Sequence, residues 1–151
     1  MRKIATITLS LATLAVLLSF KSTTYSGKAI AIIVNSGNSV TALTEAEAKL
    51  YYLRKVKKRW PDINKNIQPA DRSAACPERD TFYEKILKMS ADNVERYFSE
   101  KEYQNAEPNR KKVKSDAEMI QFVTENVGAI GYVSAESVSG NKDVKVVLTV
   151  Q

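Results

Sequence analysis

Residues 71–79, Asp-Arg-Ser-Ala-Ala-Cys-Pro-Glu-Arg, hold the residue types in this sequence that are best suited to chemistry. They lie between a predicted short strand and an amphipathic helix. Arginine side chains form strong charge-assisted hydrogen bonds to oxyanions, and helix N-termini present unpaired N–H groups with partial positive charge. Arg72, Ser73 and the N–H groups that follow them therefore predict an anion-binding loop, with Arg79 as a second basic candidate. The glycines of a phosphate-wrapping loop are absent, so these residues also fit an ordinary solvated loop.

The absence of histidine and the single cysteine, Cys76, restrict the possible chemistry. Without histidine there is no Ser-His-Asp or Cys-His mechanism, and one cysteine cannot form an internal disulfide or a cysteine-rich zinc site. Nearby arginines could lower the pKa of the thiol, but a nucleophilic site also needs a base. We therefore predict a non-catalytic protein without metal or cofactor, in which Cys76 is buried as a small hydrophobic residue.

The beginning of the sequence resembles an export signal. Arg2 and Lys3 precede an apolar run over residues 4–20 that is broken by Ser and Thr. We predict a signal peptide over residues 1–26, with a retained N-terminal anchor as the alternative, and a periplasmic or otherwise exported domain over residues 27–151.

The charge of the chain argues against a nucleic-acid partner. The net charge is +6, and it falls to +3 when residues 1–22, which include three basic side chains, are removed. The remaining basic runs are short, and such runs are usually solvated faces. They could still attract an anionic ligand or an acidic partner surface.

Strand and helix signals alternate along the predicted domain. A capping box at Thr44 and Glu47 and a second one at Ser115 and Glu118 mark helix starts, as does Ser90. Periodicity predicts strands over residues 29–34, 67–70, 129–133 and 143–150. It also predicts helices that end near residues 54, 89 and 126. Residues 100–114 are predicted to form an exposed polar connection.

This order predicts an α/β domain of three layers with a mainly parallel mixed sheet. Ligand sites in such sheets lie beyond the carboxyl ends of the strands. We therefore expect the loop over residues 35–39, the loop over residues 71–79 and the turn at Gly128 to converge on one rim.

Four motifs in a common order resemble phosphate ABC transporter substrate-binding proteins of the type 2 periplasmic-binding class. Residues 33–43 resemble the opening motif of that family, and Trp-Pro-Asp at residues 60–62 resembles one of its loops. Residues 71–82 resemble its anion loop, and Val-Gly-Ala-Ile-Gly-Tyr-Val at residues 127–133 resembles its return strand. Together the motifs span nearly all of the predicted domain.

The resemblance implies an exported, non-catalytic binding protein for phosphate or a similar oxyanion, with a role in transport. Asn35 and Asn38 lie in the first loop, where such side chains more often stabilise the turn than touch a ligand. The predicted ligand-binding residues are Arg72, Ser73, Arg79, Thr81, Asn35 and Asn38.

The departures from the family pattern define an alternative. Residues 74–78, Ala-Ala-Cys-Pro-Glu, replace the Ser-Gly-Thr of the family, and Glu78 and Asp80 would repel an anion. The chain resembles only the central lobe of a two-lobed binding protein. The cleft would then be completed by an envelope transporter, by a sensor or by self-association. The alternative is a ligand-free interaction or scaffold module of the cell envelope that keeps the fold of the lobe.

Overall fold

A computed structural model describes residues 28–55 and 57–151 of the 151-residue chain. The predicted signal peptide, residues 1–26, lies outside the described residues. Within the described part, none of the helices combines the length and apolar character that a membrane crossing requires.

The described residues form five strands and four α-helices. The strands are β1 (Ile30–Asn35), β2 (Gln68–Arg72), β3 (Lys111–Val113), β4 (Ala129–Ser134) and β5 (Val144–Val150). The helices are α1 (Glu45–Tyr52), α2 (Pro77–Thr81), α3 (Ala91–Asn105) and α4 (Asp116–Glu125). A π-helical stretch, Phe82–Leu87, continues α2, and a 3-10 turn, Ala135–Val138, follows β4.

The strands form one mixed sheet in the order β3-β2-β4-β1-β5. β2 is parallel to β3 and β4, whereas β1 is antiparallel to both β4 and β5. Four strands therefore point one way and β1 points the other, which confirms a mainly parallel mixed sheet. The strand that runs against the rest is the first one, in the interior of the sheet.

The direction of β1 places different segments of the chain at the two rims of the sheet. We call the rim at the carboxyl end of β2 the Arg72 rim. Ile30, the first residue of β1, lies on this rim because it pairs with Ser134 and with Val150, the last residues of β4 and β5. The opposite rim, here the Asn35 rim, holds the end of β1 and the start of β5, since Asn35 pairs with Val144.

Helices cover both faces of the sheet, as the three-layer prediction requires. All six residues of β1 are buried, and alternate side chains point to opposite faces. Ile30 and Ile32 pack in one core with residues of α1 and α3, while Ala31 and Ile33 pack in a second core with residues of α4.

The predicted helix ends are largely confirmed. Thr44 and Glu47 form the reciprocal capping box, and the hydroxyls of Ser90 and Ser115 accept hydrogen bonds from backbone N–H groups in the first turns of α3 and α4. The helix predicted up to residue 89 instead changes to a π-helical stretch and stops at Lys88, which has a left-handed backbone with φ 53°.

The predicted exposed connection over residues 100–114 is wrong. α3 continues to Asn105, Lys111–Val113 forms β3, and Glu107 and Arg110 are buried at 7% and 3% exposure. Charged side chains are rarely buried unless they are paired. Both residues have ion-pair partners from distant parts of the sequence, which a local reading of polarity does not capture.

Candidate functional site

The predicted anion loop is shorter than expected. Arg72 is the last residue of β2, and α2 begins at Pro77, so residues 73–76 alone form the connection. Ser73 is exposed, and its N–H donates a 2.8 Å hydrogen bond to the carbonyl of Val113. That N–H belongs to the parallel pairing of the sheet, so the hydroxyl is the donor that Ser73 can offer to a ligand.

The guanidinium of Arg72 is held by a carboxylate. Its side chain is 13% exposed, and Nη1 is ion-paired and hydrogen-bonded to Oδ1 of Asp116 at the start of α4. Oδ2 of Asp116 accepts a 3.0 Å hydrogen bond from the N–H of Ser134 and a 2.6 Å hydrogen bond from the hydroxyl of Ser137. A guanidinium has five N–H donors, so a bond through Nη1 fixes its orientation and leaves donors for an anion.

The start of α2 contributes less to anion binding than the sequence suggested. Pro77 occupies the first helical position and has no N–H, and the N-cap residue Cys76 makes no side-chain capping bond. Glu78 and Asp80 place two carboxylates in the first turn. Any hydrogen bond that this loop offers to an anion would therefore come from side chains, chiefly that of Arg72.

The two other candidates near this loop belong to α2 itself. Arg79 is half-buried, and its guanidinium carbon lies 5.5 Å from the centre of the Tyr83 ring. Its Nε is buried and has no hydrogen-bond partner among the described residues. Thr81 is half-buried at the last position of α2, just before the π-helical stretch.

Asn35 and Asn38 lie at the opposite rim of the sheet, so the predicted convergence of the three loops is wrong. Because β1 runs against β2 and β4, its carboxyl end and the turn at Gly128 both lie at the Asn35 rim. Oδ1 of Asn35 accepts from the N–H of Gly37, and its Nδ2 donates to the carbonyls of Val123 and Thr124 at the end of α4.

Asn38 has a similar local role. Its Oδ1 accepts a 3.0 Å hydrogen bond from the N–H of Val40. Both asparagines therefore stabilise their turn, as their residue type favours.

Asp71, next to Arg72, is the centre of a buried hydrogen-bond network, which we call the Asp71 hub. From the sequence, Asp71 was predicted only to be part of the loop. It is fully buried, and its Oδ2 accepts hydrogen bonds of 2.6 Å from Nε of Arg110 and 2.5 Å from the hydroxyl of Tyr83. Oδ1 accepts from the hydroxyl of Tyr132 at 2.5 Å and from the N–H of Arg72 at 2.9 Å.

These hydrogen bonds determine the charge state of the hub. Burial favours the protonated form of Asp71, but hydrogen bonds from Arg110, Tyr132 and Tyr83 outweigh it and lower the pKa of the carboxyl. Burial and the Asp71 charge raise the pKa of both tyrosines well above their ordinary value. Asp71 is thus ionised and the tyrosines are neutral donors at physiological pH.

Arg110 connects Asp71 to a second carboxylate, that of Glu95. Its Nη2 donates a 2.5 Å hydrogen bond to Oε1 of Glu95, and its guanidinium carbon lies 4.6 Å from the centre of the Phe98 ring. Nζ of Lys112 also donates to Glu95, at 2.7 Å. Tyr132, in the return motif at residues 127–133, was the sequence signal that could have indicated the cluster around Asp71.

Cys76 is partly exposed, not buried as predicted, because it caps α2 at the edge of the loop. Partial burial raises the pKa of its thiol, despite opposing effects of the Arg79 N–H and the Arg72 charge. The thiol is therefore not activated. Among residues 28–55 and 57–151, no group of three or more Cys, Asp or Glu side chains could hold a metal ion.

Comparison with known proteins identifies the fold of the domain. No protein-family model and no curated protein sequence matches the chain. Among solved structures, it is similar to one described as a phosphate ABC transporter substrate-binding protein with bound phosphate from Clostridium perfringens, with a TM-score of 0.62 and 24% identity. The domain has the fold of one lobe of a phosphate-binding protein.

Two further structures support this assignment of the lobe fold. An ABC-type phosphate transport receptor from Vibrio cholerae matches with a TM-score of 0.60 and 23% identity, and PstS from Borrelia burgdorferi matches with 0.56 and 16%. In all three cases 80% of this chain is covered, but only 44%, 45% and 46% of the other chain. The chain therefore spans less than half the length of the structures that share its lobe.

Proposed function

We propose that this protein is an exported, non-catalytic binding protein for phosphate or a similar oxyanion. The observation that carries the proposal is Arg72, a guanidinium held at a rim of a phosphate-binding-protein lobe fold, beside the exposed hydroxyl of Ser73. Arg79, in the first turn of α2, is the second contact we propose, and Thr81 is a third. The binding-protein neighbours and their transport roles support this reading.

The proposed site does not include Asn35 or Asn38, which lie at the other rim. An anion at Arg72 would be covered on one side only, where water weakens each charge-assisted bond. We propose that an envelope transporter, a sensor or a second copy of this chain supplies the missing side. Affinity for the free domain should then be modest.

The test is isothermal titration of the purified protein with phosphate and then with sulfate, in a buffer free of both anions. We expect saturable heat with phosphate that Arg72→Ala weakens by about tenfold or more, because hydrogen bonds to charged groups contribute about 1.5–3 kcal/mol. Arg96→Ala is the matched control, since Arg96 is an exposed arginine on α3 that contacts Asn93.

A second candidate function is a ligand-free interaction module of the cell envelope. The pairing of Arg72 with Asp116 and the carboxylates of Glu78 and Asp80 favour it, because they already counter the basic charge of the loop. Titrations without heat for either anion, in protein with a native amide spectrum, would support this module and refute the binding function.

A further inference from the structure

A concave surface lies at the other end of β2, away from Arg72. It is a cavity of about 780 Å³ beside the first residues of β2 and β3. β3 pairs with β2 only from Ala70 onward, so Gln68 and Pro69 have no strand neighbour on this side. Ligand sites in proteins typically have volumes of about 300–1,000 Å³. We call this surface the Arg54 cavity, after the basic residue in its wall.

A buried ion pair contributes to the wall of the cavity. The side chains of Arg54 and Glu107 are 7% and 8% exposed, and both line the cavity. Nε of Arg54 lies 3.8 Å from Oε2 of Glu107, and Nη2 of Arg54 donates a 2.8 Å hydrogen bond to the carbonyl of Pro108. The pair therefore fixes charged groups in the wall, and a ligand would meet the exposed basic side chains beside it.

The charge around the cavity favours an anion. Glu107 is surrounded by three cations, with Lys58 Nζ at 2.9 Å, Lys101 Nζ at 3.7 Å and the Arg54 guanidinium. Lys111 lines the cavity, is exposed, and has no ion pair within the described ranges. One carboxylate among four cationic groups leaves a positive field at a partly enclosed surface, which attracts and holds negative charge.

Part of the remaining wall is apolar. Pro69, Pro108 and the half-buried Phe122 line the cavity together with the charged residues. Inorganic phosphate would leave this surface without a contact, whereas a carbon skeleton would cover it.

We propose that the Arg54 cavity is a second ligand site, which binds a small organic anion. The anionic group, a carboxylate or a phosphate ester, faces Lys111, and the carbon atoms of the same molecule contact Pro69 and Phe122. This inference is independent of the proposed function at the Arg72 rim.

The test is a titration of the amide spectrum of isotope-labelled protein with gluconate, with glucose 6-phosphate and with glucose as the neutral control. We expect saturable shifts at the amides of Asn66, Asn109 and Lys111 with an anionic ligand but not with glucose. A response to gluconate alone identifies a carboxylate ligand, and a response to glucose 6-phosphate alone identifies a phosphate ester.

Lys111→Ala should weaken the response by about threefold, the effect expected of one exposed charge. Lys114→Ala is the control, because Lys114 is exposed beside the end of β3 and does not line the cavity.

Three results would overturn the second site. These are no saturable shift with either anion, an equal response to glucose, and shifts confined to residues 73–76. In a parallel titration with inorganic phosphate, shifts at residues 73–76 report on the Arg72 rim and shifts at Asn66, Asn109 and Lys111 report on the cavity, so failure of one site is distinguishable from failure of the other.

Discussion

Asp71 is the residue on which the geometry of the Arg72 rim depends. It precedes Arg72 in β2, and its carboxylate accepts hydrogen bonds from two tyrosines and Arg110. These donors come from the π-helical stretch, from β4 and from the residue before β3. One buried carboxylate thereby links four elements and fixes the direction in which β2 ends.

Asp71→Asn is expected to lower the free energy of unfolding by about 3 kcal/mol, because it removes the charge that compensates a buried arginine. The exposed Asp143→Asn is the matched control and should leave stability within about 0.5 kcal/mol of the wild type. Urea unfolding at neutral pH measures both. Equal stability of the two variants would show that the hub does not stabilise the fold.

Asp71→Asn should also change how the free energy of unfolding depends on pH. The folded state lowers the pKa of Asp71, so the charged carboxylate stabilises the fold above the unfolded pKa of about 3.9. This contribution is lost as pH falls through the lower folded pKa. Wild-type stability should therefore fall below about pH 4 more steeply than that of Asp71→Asn.

Residue-level prediction from sequence succeeded where the role was local. Asn35 and Asn38 stabilise their turn through bonds to N–H groups two residues away. The role of Asp71 was not predicted, because its partners Tyr83, Arg110 and Tyr132 are 12, 39 and 61 residues away. Arg72 was singled out, but its partner Asp116 was not.

At the scale of elements, Gly128 and Gly131 allow β4 and the turn before it to pack closely against their neighbours. The carbonyl of Gly128 accepts 2.9 Å hydrogen bonds from Nε1 of Trp60 and from the N–H of Gln68. A Cβ on Gly128 would lie 2.0 Å from the carbonyl oxygen of Asn66. The turn before β4 thus needs a residue without a side chain.

Gly128→Ala should destabilise the protein more than Gly131→Ala. A Cβ at position 131 would meet Sδ of Met119 at 2.4 Å, but that side chain is flexible and can move, whereas the Asn66 backbone cannot move without disturbing the start of β2. We expect about 3 kcal/mol for Gly128→Ala and about 1 kcal/mol for Gly131→Ala, measured by urea unfolding. The reverse order would contradict this account.

Elements with local start signals were predictable from sequence, and elements stabilised by distant partners were not. Thr44, Ser90 and Ser115 fixed the starts of their helices through caps within three residues. β3 was not predicted, because Lys-Lys-Val is polar and forms a strand only through its pairing with β2 and the burial of Arg110 beside Asp71.

At the scale of the whole molecule, the direction of one strand separates the predicted loops. The order of strands and helices predicted the three-layer α/β class, but it contained no information on the direction of β1. Sequence patterns describe which faces of a strand are buried, and a strand buried on both faces looks the same in either direction. As a result the Asn35 turn and the Arg72 loop lie at opposite rims.

The pairing of Ile30 with Val150 at the Arg72 rim has a further consequence. A short linker could join residues 28 and 151 and turn the domain into a closed ring. Gly140, with φ +74° and open space around its Cα, lies in an exposed turn at which that ring could be reopened.

A circular permutant that begins at Asn141 should therefore fold with a cooperative urea transition and retain the sheet. A permutant opened instead between Ile86 and Leu87, within the buried π-helical stretch, is the control that should not fold. Failure of the first permutant would show that chain order, and not only the set of contacts, is required for folding. Its success would show that the lobe can be inserted as a domain into an exposed loop of an unrelated host protein, because its two attachment points are adjacent.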